Sequence, residues 1–290
     1  MHDLYPQTGR AYAVGVTGPP GVGKSSLISA LIRPLREEQR TIGVISVDPS
    51  SPFSQGALLG DRIRLADHFL DPGVFIRSMG TRGHLGGLAE ATLQALLVLD
   101  AAGKELVFLE TVGAGQSEVE VIGIADTVLL VLMPGSGDSV QALKAGIMEI
   151  PDVIAINKMD HPAAKTMLNE VRSILSLDRE RAWKPPIVLT DATRGENVPE
   201  LWAKIEDHRA HLESEGQLEE RRRKNLAREV FAVASGRAKP HLEQAVADDP
   251  ELRRLLDEVQ RRELDPLTAV REIMEKVFHL GDATDGTHTR

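Results

Sequence analysis

The sequence predicts a doubly wound α/β domain with a mostly parallel sheet, followed by an α-helical extension. Two observations carry this. Short, apolar, β-branched runs recur along the first part of the chain, and stretches with apolar residues three and four apart lie between them. Beyond residue 213 the runs stop, and the chain becomes charged, helical in pattern and free of strand signals.

The strand-like runs are AYAVGVT, TIGVISV, GVFIR, ELVFLE, TVLLVLM, DVIAIN and PPIVLT. The helical patterns among them are KSSLISALIRPLREEQ, GGLAEATLQALLVLDAAG and AAKTMLNEVRSILSL. Runs apolar on both faces, joined by crossover helices, are what a parallel sheet covered on both sides requires. This places the α/β domain at 1–213 and the extension at 214–290. In the extension, LEERRRKNLAREVFAVAS, PHLEQAVADD and DPLTAVREIMEKVF carry helical patterns. Asp249-Pro250 and Asp265-Pro266 mark helix starts, with aspartate as cap and proline in the first turn. Leu252, Leu255, Leu256, Val259, Leu264, Val270, Ile273, Val277 and Phe278 form an apolar stripe too large to leave in water. It must pack on the α/β domain or on another subunit. The closing GDATDGTHTR reads as a frayed tail.

Among the 290 residues, 43 acidic side chains against 34 basic ones give a formal charge of −9, which disfavours phosphate backbones and anionic bilayers. No nucleic-acid and no membrane partner is therefore expected. The absence of cysteine removes disulfides, thiolate metal sites and cysteine nucleophiles together. The opening MHDLYPQTGRAYAVGVTG is too short in its apolar part, and too interrupted by glycine, for a signal peptide or a span. A soluble, cytoplasmic protein is expected.

GPPGVGKS, comprising Gly18, Pro19, Pro20, Gly21, Val22, Gly23, Lys24 and Ser25, satisfies G-x-x-x-x-G-K-[ST] between a strand pattern and a helix pattern. Backbone N–H groups of such a loop converge on phosphate oxygens, and the following helix adds its positive end. This makes the sheet one of the P-loop NTPase type. Lys24 is expected on the β and γ phosphates and Ser25 on Mg²⁺, with Ser26 beside it among the nucleotide-binding residues. NKMD, with Asn157, Lys158 and Asp160, closes another strand where a base reader belongs. A carboxylate there accepts from N1–H and the 2-amino group of guanine, donors that adenine lacks, so GTP/GDP rather than ATP is expected. TDATRGENV after the next run, with Thr190, Asp191 and Ala192, offers backbone donors to the guanine oxygen.

ELVFLE ends at Glu110, where an acid would hold Mg²⁺ directly or through water. The expected pattern at this place is Asp-x-x-Gly with a glutamine directly behind it. Here it reads Glu-x-x-Gly ending at Gly113, with Gln116 displaced by two residues. Slow turnover without a partner is expected from that displacement. Asp48 and Asp61 are further candidates for Mg²⁺ or catalysis. Asp48 before Pro49 also fits the opening of a turn, and Asp61 also fits a helix cap. Arg62, Arg64, Arg77 and Arg82 crowd the same part of the chain, with surface pairing as their default reading. The run Arg221 to Lys224 fits a charge-laced helix face better than a phosphate site.

GPPGVGKSS, ISVDPSSPFSQGALLGDRIRL, ETVGAGQSEVE, GSGDSVQALKAGIMEIPDVIAINKMD and LDPLTA together resemble the MeaB/ArgK family of P-loop GTPases. The resemblance implies a G-protein chaperone of an adenosylcobalamin-dependent acyl-CoA mutase, in which GTP hydrolysis gates cofactor loading and removal of damaged cofactor. It implies a homodimer joined through the C-terminal helices, and it makes Glu110 the usual residue at its place. GSGDSVQALKAG resembles a third switch loop, with Asp138, Gln141 and Lys144 as contacts to the mutase; spacing alone equally fits a solvated helix start. Family members usually carry a helical extension ahead of the phosphate loop, for which little room precedes Gly18, and Ser26 stands where a threonine is common.

Two other classes stay in view. A metallochaperone GTPase would show clustered ligands, whereas the nine histidines are scattered, and His208 and His211 lack a third ligand. A transport-linked ATPase or kinase conflicts with the guanine reader.

Overall fold

A computed structural model describes residues 1–48, 65–80, 85–111, 123–136, 150–178 and 182–278. Within these, seven strands form one sheet: β1 Tyr12–Thr17, β2 Ile42–Asp48, β3 Val74–Gly80, β4 Leu106–Thr111, β5 Thr127–Leu132, β6 Val153–Asn157 and β7 Ile187–Thr190. All pairings are parallel, in the order β3-β2-β4-β1-β5-β6-β7. Each strand coincides with one of the seven apolar runs. The helices are α1 Lys24–Glu37, α2 Leu85–Ala101, α3 Ala164–Leu175, α4 Val198–Ser214, α5 Gln217–Asp248, α6 Pro250–Gln260 and α7 Pro266–Phe278.

Alternation along the strands sorts the core into two layers. Val14, Val16, Val44, Phe108, Leu129, Val131 and Val153 face one side, where Leu27, Leu31 and Leu35 of α1 and Leu201 and Ile205 of α4 cover them. Ile45, Val107 and Leu109 pack with Leu99 of α2 on the other side. Leu130, Leu132, Ile154 and Ile156 pack there with Met167 and Val171 of α3. Helices on both faces explain why the central strands are apolar at every position rather than at alternate ones. Because every strand runs the same way, Thr17, Asp48, Thr111, Leu132, Asn157 and Thr190 all lie at one edge of the sheet, where open α/β sheets bind ligands.

The opposite edge is fastened by charge. Arg222 of α5 donates to both carboxylate oxygens of Asp126 at 2.8 Å and to the carbonyls of Gly9 and Ala11, also at 2.8 Å. Asp126 in turn accepts from the N–H of Ala13. Arg221 makes a two-pronged bond to the buried Asp152, at 3.1 and 2.6 Å. The arginine run therefore divides: Arg221 and Arg222 are half-buried clamps, whereas Arg223 and Lys224 remain exposed. Arg222→Ala strands a buried carboxylate and two carbonyls, so a loss of about 3 kcal/mol in urea unfolding is expected, with little recovery in Arg222→Lys because an ammonium lacks the planar fork.

The histidines on α4 are structural. His208 is buried, with Nδ1 2.7 Å from Thr127 Oγ1 and Nε2 3.4 Å from Asp152. The Trp183 ring lies 5.0 Å from His208 and stacks on His211. Across α1, His68 Nε2 lies 2.9 Å from Ser29 Oγ and 3.2 Å from its carbonyl. Burial lowers the pKa of His68, opposed by its hydrogen bond to the Ser29 carbonyl and by Asp67 and Asp71, with Arg33 pushing the same way as burial. Folding then favours the neutral ring, so the unfolded chain binds the proton at higher pH. The contribution of this ring to stability is fully present above about pH 6.5 and is lost as pH falls below it. The urea midpoint should fall more between pH 7.5 and 5.5 in the native protein than in His68→Gln.

The chain divides into two compact units, Met1–Ala232 and Val233–Arg290, with the division inside α5. The two helical patterns on either side of Pro240 form this one helix, which runs through the proline. Arg237, Ala238, Lys239, Leu242 and Glu243 around it are good helix formers, which offsets the lost N–H. In the second unit, the Asp249 side chain caps α6 through the N–H of Glu251 at 2.8 Å. Asp265 likewise caps α7 through the N–H groups of Leu267 and Thr268 at 3.0 Å. Lys276 near the end of α7 pairs with Asp249 and Glu251 at the start of α6. Leu252 and Ala269 are buried, while Leu256, Leu267 and Val270 are exposed. Among the described residues no helix is long and apolar enough to cross a membrane.

Candidate nucleotide site

The loop between β1 and α1 bends through left-handed backbone at Gly18, Gly21 and Gly23, with φ of 141°, 76° and 94°. Glycine is required at Gly18 for a second reason: a Cβ there would lie 2.0 Å from the Val131 carbonyl oxygen. The loop thus passes directly over the end of β5, and only a bare backbone fits. Pro19 is buried and Pro20 exposed, while Val22 is fully buried in the core beneath the loop. Gly23 stands at the N-cap of α1, so the helix begins with Lys24 and Ser25 at its positive end. Ser26, one place further, is half-buried.

Lys24 is 6% exposed and donates from Nζ to the carbonyls of Gly18 at 2.6 Å and Pro19 at 3.0 Å. The ammonium is folded over the loop, at the place where phosphate oxygens would compete for it. Ser25 Oγ donates to Glu110 Oε1 at 2.5 Å, and Ser46 Oγ donates to Glu110 Oε2 at 3.1 Å. All three residues are buried. The phosphate-loop hydroxyl and the acid one residue before the end of β4, both singled out for Mg²⁺, are therefore in direct contact. A hydroxyl has one proton and two lone pairs, so Ser25 can donate to the carboxylate and still offer oxygen to a cation. Hard oxygen donors of this kind suit Mg²⁺, which fills its remaining positions with water and phosphate.

The NKMD segment, the candidate base reader, forms the other wall. Asn157 ends β6 and is paired in register with Thr190 at the end of β7. Its Nδ2 donates to the Val22 carbonyl at 2.9 Å, while its Oδ1 accepts from the Ala192 N–H at 3.0 Å and faces the Thr190 hydroxyl at 3.4 Å. This asparagine bolts the phosphate loop to the segment after β7. A Cβ on Gly23 would stand 2.5 Å from its amide nitrogen, a second place where the loop needs glycine. Lys158 adopts φ of 59° and lays Nζ 3.4 Å from the Gly21 carbonyl. Asp160 is exposed, which leaves its carboxylate open to a base. The Met159 N–H bonds the Thr190 carbonyl, and Asp191 Oδ1 accepts from the N–H groups of Thr193 and Arg194, holding the loop closed.

The structure thus brings together Gly18 to Ser26, Glu110, Asn157, Lys158, Asp160, Thr190, Asp191 and Ala192. Asp48 ends β2 at the same edge, but its side chain lies outside the described residues, as do Asp61, Gly113, Gln116, Asp138, Gln141 and Lys144. Arg77 on β3 is exposed. Two contributions were not foreseen in the motifs: Ser46, whose hydroxyl braces Glu110, and the structural use of Asn157. A serine inside the otherwise apolar TIGVISV was the available signal for the first. Among the described residues, no group of three or more His, Cys, Asp or Glu is placed to hold a metal ion by itself.

Residues 1–247 match the family described as methylmalonyl Co-A mutase-associated GTPase MeaB. A putative GTPase of Pyrococcus abyssi is 48% identical over 282 residues, covering 96% of this chain and 87% of that protein. The GTPase ArgK of Escherichia coli K12 is 33% identical over 277 residues, covering 94% and 84%. Among solved structures, a LAO/AO transport system kinase superimposes with a TM-score of 0.71 at 28% identity, covering 96% of this chain and 85% of that one. With the phosphate loop, Glu110 and the NKMD segment assembled at one sheet edge and the family matched over most of this chain, the chain belongs to the MeaB family of GTPases.

Proposed function

We propose that this protein is a GTP-hydrolysing chaperone of a B12-dependent acyl-CoA mutase, gating adenosylcobalamin loading and protecting or reactivating the mutase. The observation that carries the reading is the Ser25–Glu110 contact standing across from Asn157 and Asp160, in a chain of the mutase-associated family. The loop amides and Lys24 hold the phosphates, and Asp160 reads guanine. Ser25 and Glu110 hold Mg²⁺, which when bound neutralises charge developing on the phosphate oxygens. Asp48 and Asp61 complete the metal and catalytic set. Turnover is slow in the isolated protein and rises with the client, because Gln116 does not follow Gly113 directly.

In this reading 1–213 is the GTPase domain and 214–290 a dimerisation arm. The exposed Leu256, Leu267 and Val270 support a homodimer, since a second copy would cover them. Asp138, Gln141 and Lys144 meet the mutase, and the protein works in the cytoplasm without nucleic acid or membrane. A metal-delivery role gains no support from His208 and His211, which are engaged with Thr127, Asp152 and Trp183. The test is turnover of GTP and ATP by the purified protein. Mg²⁺-dependent hydrolysis of GTP in clear preference to ATP is expected; equal use of both nucleotides, or of ATP alone, would overturn the guanine assignment.

A further inference from the structure

We infer that Ser46 is a positioning residue for the Mg²⁺-binding acid: its hydroxyl fixes the Glu110 carboxylate so that Oε1, rather than either oxygen at random, serves Ser25 and the cation. The inference rests on the GTPase reading and deepens it.

The placement follows from register. Ser46 on β2 and Glu110 on β4 are paired neighbours in parallel strands, so their side chains leave the same face of the sheet. That face is the one covered by α1, because Val44 and Phe108, two residues earlier on each strand, lie in the layer with Leu27 and Leu31. Extending each strand by one period of two replaces the apolar pair Val44 and Phe108 with the polar pair Ser46 and Glu110. The apolar layer therefore ends in a hydroxyl and a carboxylate directly beneath the start of α1.

Ser46 is 1% exposed and Glu110 3%, so an extended water shell does not orient this carboxylate. Hydroxyls reach both of its oxygens, Ser25 on Oε1 and Ser46 on Oε2. Glutamate has one more rotatable bond than the aspartate expected at this place, and each free rotation dilutes the metal-competent orientation. A second anchor on the far oxygen removes that freedom. The longer acid and the serine on the adjoining strand thus form one device: glutamate supplies the reach, and Ser46 restores the order that the extra bond would lose.

The test reads metal affinity rather than activity. Mn²⁺ replaces Mg²⁺ and is titrated by electron paramagnetic resonance into the full-length protein bound to GDP. Ser46→Ala should weaken Mn²⁺ binding about tenfold, the scale of one hydrogen bond to a charged group, with GDP affinity in EDTA unchanged. Ser46→Thr, which keeps the hydroxyl, should stay within about threefold of the native protein. In a Glu110→Gln background, adding Ser46→Ala should change affinity less than about twofold, because the carboxylate to be positioned is gone. Native Mn²⁺ affinity in Ser46→Ala, or an equal loss with and without Glu110, would overturn the inference while leaving the GTPase reading intact. Failure of the unmutated protein to bind GDP would overturn that reading, and this inference with it.

Discussion

Lys24→Ala is expected to lower single-turnover GTP hydrolysis by about 10²- to 10³-fold, the scale lost when one preorganised donor to developing negative charge is removed. Lys24 is almost wholly buried at the start of α1 and already points back across the loop, bonded to the Gly18 and Pro19 carbonyls. Those bonds hold the ammonium in the loop before nucleotide arrives, so little reorganisation is needed when the γ-phosphate competes for it. Alanine removes the charge but not the loop. Left-handed backbone at Gly21 and Gly23 and the Asn157 bolt to Val22 remain, so circular dichroism and the thermal midpoint should change little. A variant that hydrolyses GTP at more than about a tenth of the native rate would contradict the role assigned to Lys24.

Asp160→Asn should change which base the site accepts. The Asp160 carboxylate is exposed beside Lys158 and beyond Asn157, whose own amide is committed to Val22, Ala192 and Thr190. In the proposed reading the base is recognised by Asp160, while Asn157 keeps the two walls of the site together. Guanine offers two donors to a carboxylate; an asparagine amide presents a donor to one of them, and GTP affinity should fall by about 10³-fold. Xanthosine triphosphate carries an oxygen in place of the 2-amino group and matches the amide, so its affinity should rise. Competition of both nucleotides against a fluorescent GDP analogue measures the two changes together. Asn157→Ala, in contrast, should weaken every nucleotide alike, because it loosens the phosphate loop itself.

Much of this molecule could be read along the chain. All seven apolar runs are strands, since continuous burial on both faces leaves a signal at every residue rather than at alternate ones. The phosphate loop was legible because backbone geometry demands glycine at Gly18 and Gly23, and NKMD was legible as the end of a strand. The caps at Asp249 and Asp265 were legible because capping is a local matter. Contacts between distant segments were not. Arg222 reaches Asp126, 96 residues away, and Ser46 reaches Glu110, 64 residues away; in the sequence the first belongs to a charged run and the second to an apolar one. The continuous α5 was hidden by Pro240, which usually marks a boundary but here is outweighed by its helix-forming neighbours. The family description names an association with a mutase, and no local pattern of residues spells out a partner's surface.

The most direct measurement is GTP hydrolysis by the purified protein with and without the B12-dependent mutase subunits of the same organism, with ATP and Lys24→Ala as controls. Turnover that is slow alone, specific for GTP, lost in Lys24→Ala and accelerated by one mutase is expected. GTP turnover that is indifferent to every such mutase would contradict the proposed client.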